Sequence, residues 1–336
     1  MGNVASRRRT CVLTAVSLVL LSVAGGADGV VPRAPLAVEE ADTDTSVVLV
    51  RGPWGSAPGQ FGKSDEASRP GPMDFAVVHD TLYVLDPVNA RVQLFNLDGS
   101  YRGEIPIGTR TADFLGVDAL GRVIVLDAFV RRELKAFSVT GELLAQATLP
   151  ASIGLCSAVF SDRGRVWVEE RHDRVYELDM DRAEGRAPAR IVGSREGRPL
   201  GAEGTTLHAR KDGTHTVVIE TRGAGQTGEP IFLQFPRPVA SIVALEADES
   251  GRVYLAAACQ RRASDDPWKT DIVLVAIGPD GEVAGTVRMP NTYVTDHYRK
   301  LCVSDTGEII QMQTTEQEVR FVRWTLPSHQ DERPSP

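Results

Sequence analysis

The sequence predicts an all-β chain folded as a six-bladed β-propeller, each blade a four-stranded antiparallel sheet, with the last blade completed by a strand from the N-terminal end. Three observations predict it. A unit of apolar strand, polar turn and second apolar strand recurs six times. No stretch of ten or more residues shows convincing 3.6-residue periodicity, so helices supply no second layer and the sheets must cover one another. The composition, 42% hydrophobic with 31 Gly and 20 Pro in 336 residues, is that of a globular chain and excludes a disordered, collagenous or coiled-coil one.

At the N-terminal end, Arg7, Arg8 and Arg9 precede CVLTAVSLVLLSVAGG, an apolar stretch too short to span a bilayer comfortably, and Gly25 and Ala27 supply small residues for cleavage. Residues 1–27 therefore read as a signal peptide. Gly2 with Ser6 fits a myristoylation pattern and the three arginines a twin-arginine signal, but the apolar core explains the segment without either. Removal takes three arginines and no acid, moving the net charge from −8 to −11. The expected location is periplasmic or extracellular, with no membrane insertion after cleavage, and the acidic balance argues against nucleic acid as a partner. Residues 28–45 mix Pro with acids and read as a flexible linker, residues 46–327 as the propeller and residues 328–336 as a disordered tail.

The repeat itself reads VDALGRVIVLD (117–127), VFSDRGRVWVEE (159–170), HARKDGTHTVVIE (208–220), LEADESGRVYLAA (245–257) and CVSDTGEIIQMQ (302–313), with FAVVHDTLYVLD (75–86) the same unit lacking the glycine. The turn glycines Gly121, Gly164, Gly213, Gly251 and Gly307 are 43, 49, 38 and 56 residues apart, a propeller-blade period. The strand after each is apolar at nearly every position, as a strand covered on both faces must be. A more alternating third strand follows, such as RVQLF (91–95) or ELKAF (133–137). A second turn then leads to a fourth strand, such as YRGEIPI (101–107). The last unit ends after VRFVRW (319–324), while SVVLVRG (46–52) has no unit of its own, so the two are expected to pair and close the ring. In the fourth unit only about seven residues separate Phe235 from Val243, so either that blade lacks its outer strand or the register there is shifted.

The first unit, GPWGSAPGQFGK (52–63) with LYVLDPVNARVQLFNLDGS (82–100), resembles the NHL repeat of six-bladed propellers: Gly59 to Phe61 as lead-in, then Asp86, Asn89 and the Arg-Val-Gln-x-Phe strand from Arg91 to Phe95. Later units drift, with Asp127, Glu169 and Ala257 at the Asp position and His172 at the Asn position. The resemblance implies the fold, which hosts both passive binding proteins and enzymes. Lactonase-like and amidating-lyase-like relatives place metal-binding side chains around the central channel. Here Asp74 and Asp113 align as equivalent entry positions of the inner strands, with Cys156, Thr205, Val243 and Arg299 at the other four. An enzymatic alternative therefore uses Asp74, Asp113, His208 and Glu246 to hold calcium or zinc for hydrolase or lyase chemistry.

The favoured reading is a non-catalytic propeller that needs no cofactor and binds a protein, peptide or glycan. No phosphate loop, HExxH pair or Gly-x-Ser-x-Gly elbow occurs. Candidate binding residues are His297 in NTYVTDHYRK (291–300) and Arg261, Arg262 and Trp268 in the long loop CQRRASDDPWKT (259–270). Asp86 and Arg91 read as a structural pair, worth about a kilocalorie or less if exposed. Of the three cysteines beyond the signal segment, Cys259 and Cys302 lie in adjacent units and are expected to form a disulfide, leaving Cys156 a buried thiol.

Overall fold

The computed structural model describes residues 34–39, 46–65, 70–118, 120–162, 165–180, 188–200, 205–223, 226–261 and 269–327. Strands β1 (Leu36–Ala37) and β2 (Ser46–Pro53) precede the first blade, made of β3 (Asp74–Val78), β4 (Thr81–Asp86), β5 (Arg91–Asn96) and β6 (Tyr101–Pro106). Blade 2 holds β7 (Phe114–Val117), β8 (Val123–Asp127), β9 (Glu133–Phe137) and β10 (Leu143–Thr148). Blade 3 holds β11 (Cys156–Asp162), β12 (Arg165–Glu170), β13 (Arg174–Asp179) and β14 (Arg190–Glu196). Blade 4 is built on β15 (Arg198–Leu200), β16 (Thr205–Asp212), β17 (Thr216–Gly223), β18 (Gln226–Thr227) and β19 (Ile231–Gln234). Blade 5 holds β20 (Val239–Ala247), β21 (Val253–Gln260), β22 (Thr270–Ile277) and β23 (Val283–Pro290). Blade 6 takes β24 (Leu301–Val303), β25 (Ile309–Thr314) and β26 (Glu318–Trp324) from the C-terminal end, and β2 as its outer strand.

The protein is a six-bladed β-propeller. Five sheets are four-stranded antiparallel meanders, and β2 pairs antiparallel with β26, setting Val48 opposite Val322 and Val50 opposite Phe321, the closure expected from the sequence. The turns between first and second strands explain the recurring glycine: Gly121, Gly213, Gly251 and Gly307 take φ of 77° to 84°, where a Cβ is strained, and His79 takes 52° in the unit that lacks the glycine.

Blade 4 departs from the pattern. After β19 the chain enters β20 with no fourth strand of its own, and β1 fills the outer position by pairing parallel to β19, Leu36 opposite Leu233. Val38 then turns inward, its amide bonded to the Gln234 carbonyl at 2.9 Å and its side chain 4% exposed among Leu233, Val253 and Val273. Residues 34–39, read from sequence as part of a flexible linker, are therefore an edge of the sheet. Two apolar residues in a Pro-rich, acidic stretch gave no strand signal locally.

Side chains of adjacent blades interdigitate in apolar layers. Phe61, Phe75 and Phe321 fill the 6–1 junction, Leu85 and Leu115 the 1–2 junction, and Leu126 and Val168 the 2–3 junction. Leu255 and Leu233 meet at the 4–5 junction, and Leu274 and Val322 at the 5–6 junction. This layering overturns the expected disulfide: Cys259 points into the 4–5 layer and Cys302 into the 6–1 layer, and none of Cys156, Cys259 and Cys302, all buried, is in a disulfide. Alternation along each strand, which sends neighbouring residues to opposite faces, separates them.

Candidate functional site

The meander fixes which loops share an end of the ring. Segments entering each inner strand and loops joining second to third strands lie at one mouth, and the glycine turns lie at the other. Where the inner and second strands converge at the first mouth, the side chains are charged.

Asp74, at the start of β3, receives the Phe75 amide on Oδ1 at 2.7 Å and the Leu115 amide of blade 2 on Oδ2 at 2.8 Å. Arg299, just before β24, places Nε 2.8 Å from Asp74 Oδ1 and Nη1 3.7 Å from Glu246 Oε1 on β20. Glu246 is in turn 3.3 Å from Nη1 of Arg198, the first residue of β15, which also donates to the Leu245 carbonyl at 2.7 Å. Arg198 Nε and Nη2 then grip both oxygens of Glu169 on β12, at 2.6 and 3.1 Å. The Ser157 hydroxyl donates to Glu169 Oε2 at 2.9 Å, and His172 Nδ1 lies 3.1 Å from the same atom. Arg171 and His172 both adopt left-handed backbone, φ 54° and 60°, and the turn they make swings the His172 ring back to Glu169. An alternating chain of acids and bases thus links blades 1, 6, 5, 4 and 3, and blade 2 joins through Leu115.

Burial alone would raise the Glu169 carboxyl, but Arg198 and His172 outweigh it and hold it well below the usual carboxylate range. Burial likewise works against the charge on Arg198 and Arg299, and their acid neighbours reverse it, so both guanidiniums stay protonated. Around this chain remains a cavity of about 30 Å³, bounded by Phe114, Ala158, Val243 and Tyr298. That is room for one or two waters, against the ~300–1,000 Å³ of a small-molecule site.

The four residues of the metal alternative are not brought together. Asp74 and Glu246 share the Arg299 guanidinium, His208 Nε2 lies 3.3 Å from Asp173 Oδ1, and Asp113 accepts the Ala128 amide at 2.8 Å. A cation already sits between the two acids nearest the axis, so this donor set does not fit a divalent metal. Among the described residues no three His, Cys, Asp or Glu side chains converge as ligands. The expected equivalence of Asp74 and Asp113 is also off by one: Asp74 pairs with Leu85 and Phe114 with Leu126, so Phe114 stands level with Asp74. A one-residue slip turns a side chain to the other face, and Asp113 bonds the loop of its own blade. The third-blade acid that bonds a lead-in amide as Asp86 does is Glu170, which accepts Gly154 N at 2.8 Å, while Glu169 faces the axis.

Of the binding candidates, Arg262 and Trp268 lie outside the described residues. Arg261 is exposed and pairs with Asp271 at 2.8 Å. His297 is held by Thr295 O at 3.0 Å and stands edge-on to Tyr293 at 5.0 Å; burial, aided by Lys300, pushes its imidazole down to about 4. Its neighbour Tyr298 is the side chain that reaches the mouth. The Tyr298 amide bonds Met73 O of blade 1 at 2.7 Å, and the ring packs on Phe114 of blade 2 at 4.6 Å and Phe129 at 5.8 Å. The aromatic loop at 291–300 was visible in the sequence. Arg198 and Phe129, which meet their partners only through the ring, were not.

Neither a protein-family model nor a curated protein sequence matches the chain. Among solved structures, a DUF4221 family member from Bacteroides vulgatus is similar at 10% identity and TM-score 0.48, over 84% of this chain and 98% of that one. Kuenenia stuttgartiensis hydrazine synthase is similar at 11% and 0.47 over 76% of each chain. A Xanthomonas campestris gluconolactonase is similar at 13% and 0.44, over 84% and 98%. At such identities the likeness is one of fold alone, and the activities named belong to those proteins. No helix among the described residues is long and apolar enough to cross a membrane.

Proposed function

We propose that this is an exported, non-catalytic binding propeller, working in the periplasm or outside the cell, that holds a protein, peptide or glycan partner at the mouth carrying Tyr298. The supporting observation is the contrast between axis and mouth. The axis is occupied by paired charges with space for one or two waters, whereas the loops around the mouth expose Phe129, Val130, Leu155, Tyr293 and Tyr298. Exposed aromatics on loops of a rigid scaffold are the usual anchors of a partner. The signal-like residues 1–27 support export.

The test is site-specific photocrosslinking in the producing cell, with the crosslinker at Phe129 or Tyr298 and, as controls, at Val47 and Leu143 on outer strands. One discrete adduct from the mouth positions and none from the outer strands is the expected result. Adducts from the outer strands alone, or from no position, would overturn the proposal.

A further inference from the structure

Asp113 is buried at this mouth, 9% exposed, and among the described residues it pairs with no cation; its neighbour Asp127, 2% exposed, also pairs with none and instead receives the Thr111 hydroxyl and the Val130 and Arg131 amides. The Asp113 Oδ2 accepts the Ala128 amide at 2.8 Å, and Arg132 of the same loop donates its guanidinium to the Ile153 carbonyl at 2.6 Å and the Pro150 carbonyl at 3.3 Å. Burial, with Asp127 adding to it and the Ala128 and Phe129 amides opposing it, pushes the Asp113 carboxyl up to about 6. Beside it stand three rings: Phe114 against Tyr298 at 4.6 Å, Phe129 against Tyr298 at 5.8 Å and Phe114 against Phe129 at 6.2 Å. Phe129 and Tyr298 are 45% and 47% exposed. Besides Asp113, Tyr298 also feels the exposed Asp296; burial and these two acids push its phenol up to about 12, so it stays neutral.

We propose that Asp113, Phe129 and Tyr298, the two exposed rings backed by the buried Phe114, form a receptor for an arginine side chain of the partner, an inference that rests on the binding function proposed above. A guanidinium is planar and weakly hydrated; it stacks on aromatic faces while its fork reaches a carboxylate. This molecule already uses both halves of that interaction: Arg299 neutralises Asp74 at 2.8 Å, and Arg195 lies over the Trp167 ring at 5.0 Å. An anionic group would be repelled by Asp113 and Asp296, and an apolar one would bury Asp113 further without a countercharge.

Titration with Nα-acetyl-arginine amide, followed by NMR, against its neutral isostere Nα-acetyl-citrulline amide tests the receptor. Arginine amide should bind saturably, with citrulline amide at least about tenfold weaker. Asp113→Asn should remove the preference, and the exposed Phe129→Ala, which leaves the core intact, should weaken arginine binding by about threefold to tenfold. Equal binding of the two amides, unchanged arginine binding by Asp113→Asn, or no saturable binding overturns the receptor. If the crosslinked partner is still captured from Tyr298 in the Asp113→Asn protein at undiminished yield, the receptor falls while the binding face stands.

Discussion

Asp86 and Asp113, on neighbouring blades, are buried carboxylates treated in opposite ways. Asp86 is fully buried and receives Gly62 N at 3.1 Å, Asn89 Nδ2 at 2.8 Å and Arg91 Nε at 3.1 Å, while Arg91 also donates to the carbonyls of Ala57 and Gln60. The pair that the sequence suggested as a weak surface contact is a buried network that clamps the loop at 52–63 to blade 1, and breaking such a network costs about 3–5 kcal/mol. Asp113 has the burial without the cation. Because its folded pKa, about 6, lies above its ordinary 3.8, its contribution to stability is full below pH 3.8 and is lost as pH rises through 6. Asp113→Asn should therefore stabilise the protein at pH 7.5 by about 1–2 kcal/mol, after allowing for solvent screening, with the gain shrinking to a few tenths at pH 4. Urea unfolding at the two pH values measures it. An Asn variant no more stable than the parent at pH 7.5 would show that Asp113 is compensated after all.

At the scale of elements, the outer position of blade 4 is the informative case. Without β1, the β19 edge lies open and the 4–5 layer loses Val38. Val38→Ala should cost about 1–3 kcal/mol, and removal of residues 28–39 more than that, read as a lowered denaturant midpoint. An unchanged midpoint for the truncated chain would mean that the strap adds nothing. The contrast with the other strands explains what the sequence revealed. Strand, glycine turn and strand are signals within about a dozen residues, and they placed five meanders and the gap after Phe235. The occupant of that gap pairs Leu36 with Leu233, and the axial chain joins Glu169 to Arg198 and Arg299 to Asp74. Such partners carry no local mark, because only the closing of the ring brings them together. The cysteines failed for a related reason: adjacency of blades was legible, but which layer each thiol enters depends on register.

For the whole molecule, the ring is only as tight as its weakest junction. Five junctions carry the large apolar layers; at the junction of blades 3 and 4, Trp167, Val175 and Val218 are buried beside the Glu169–Arg198 bridge, and the rim is met by charges, with His208 Nε2 3.3 Å from Asp173 Oδ1 and Arg222 Nη1 2.5 Å from Glu196 Oε2. Exposed pairs of this kind are worth about 0–1 kcal/mol each and are screened by salt, whereas an apolar layer is not. The β2–β26 pairing closes the ring, so opening there would unpair a sheet, while opening at the 3–4 junction unpairs none and breaks the exposed ion pairs of its rim. Partial opening should therefore begin at that junction. In hydrogen exchange, amides of β14 and β16 should exchange faster than those of the matching strands β23 and β24, and raising salt from about 0.05 M to about 1 M, which screens the rim pairs, should widen the difference. Equal protection around the ring, or faster exchange at β2 and β26, would place the weak point at the closure instead. Because Arg198 reaches across this junction to Glu169, Arg198→Met should speed β14 and β16 further while leaving β2 and β26 unchanged.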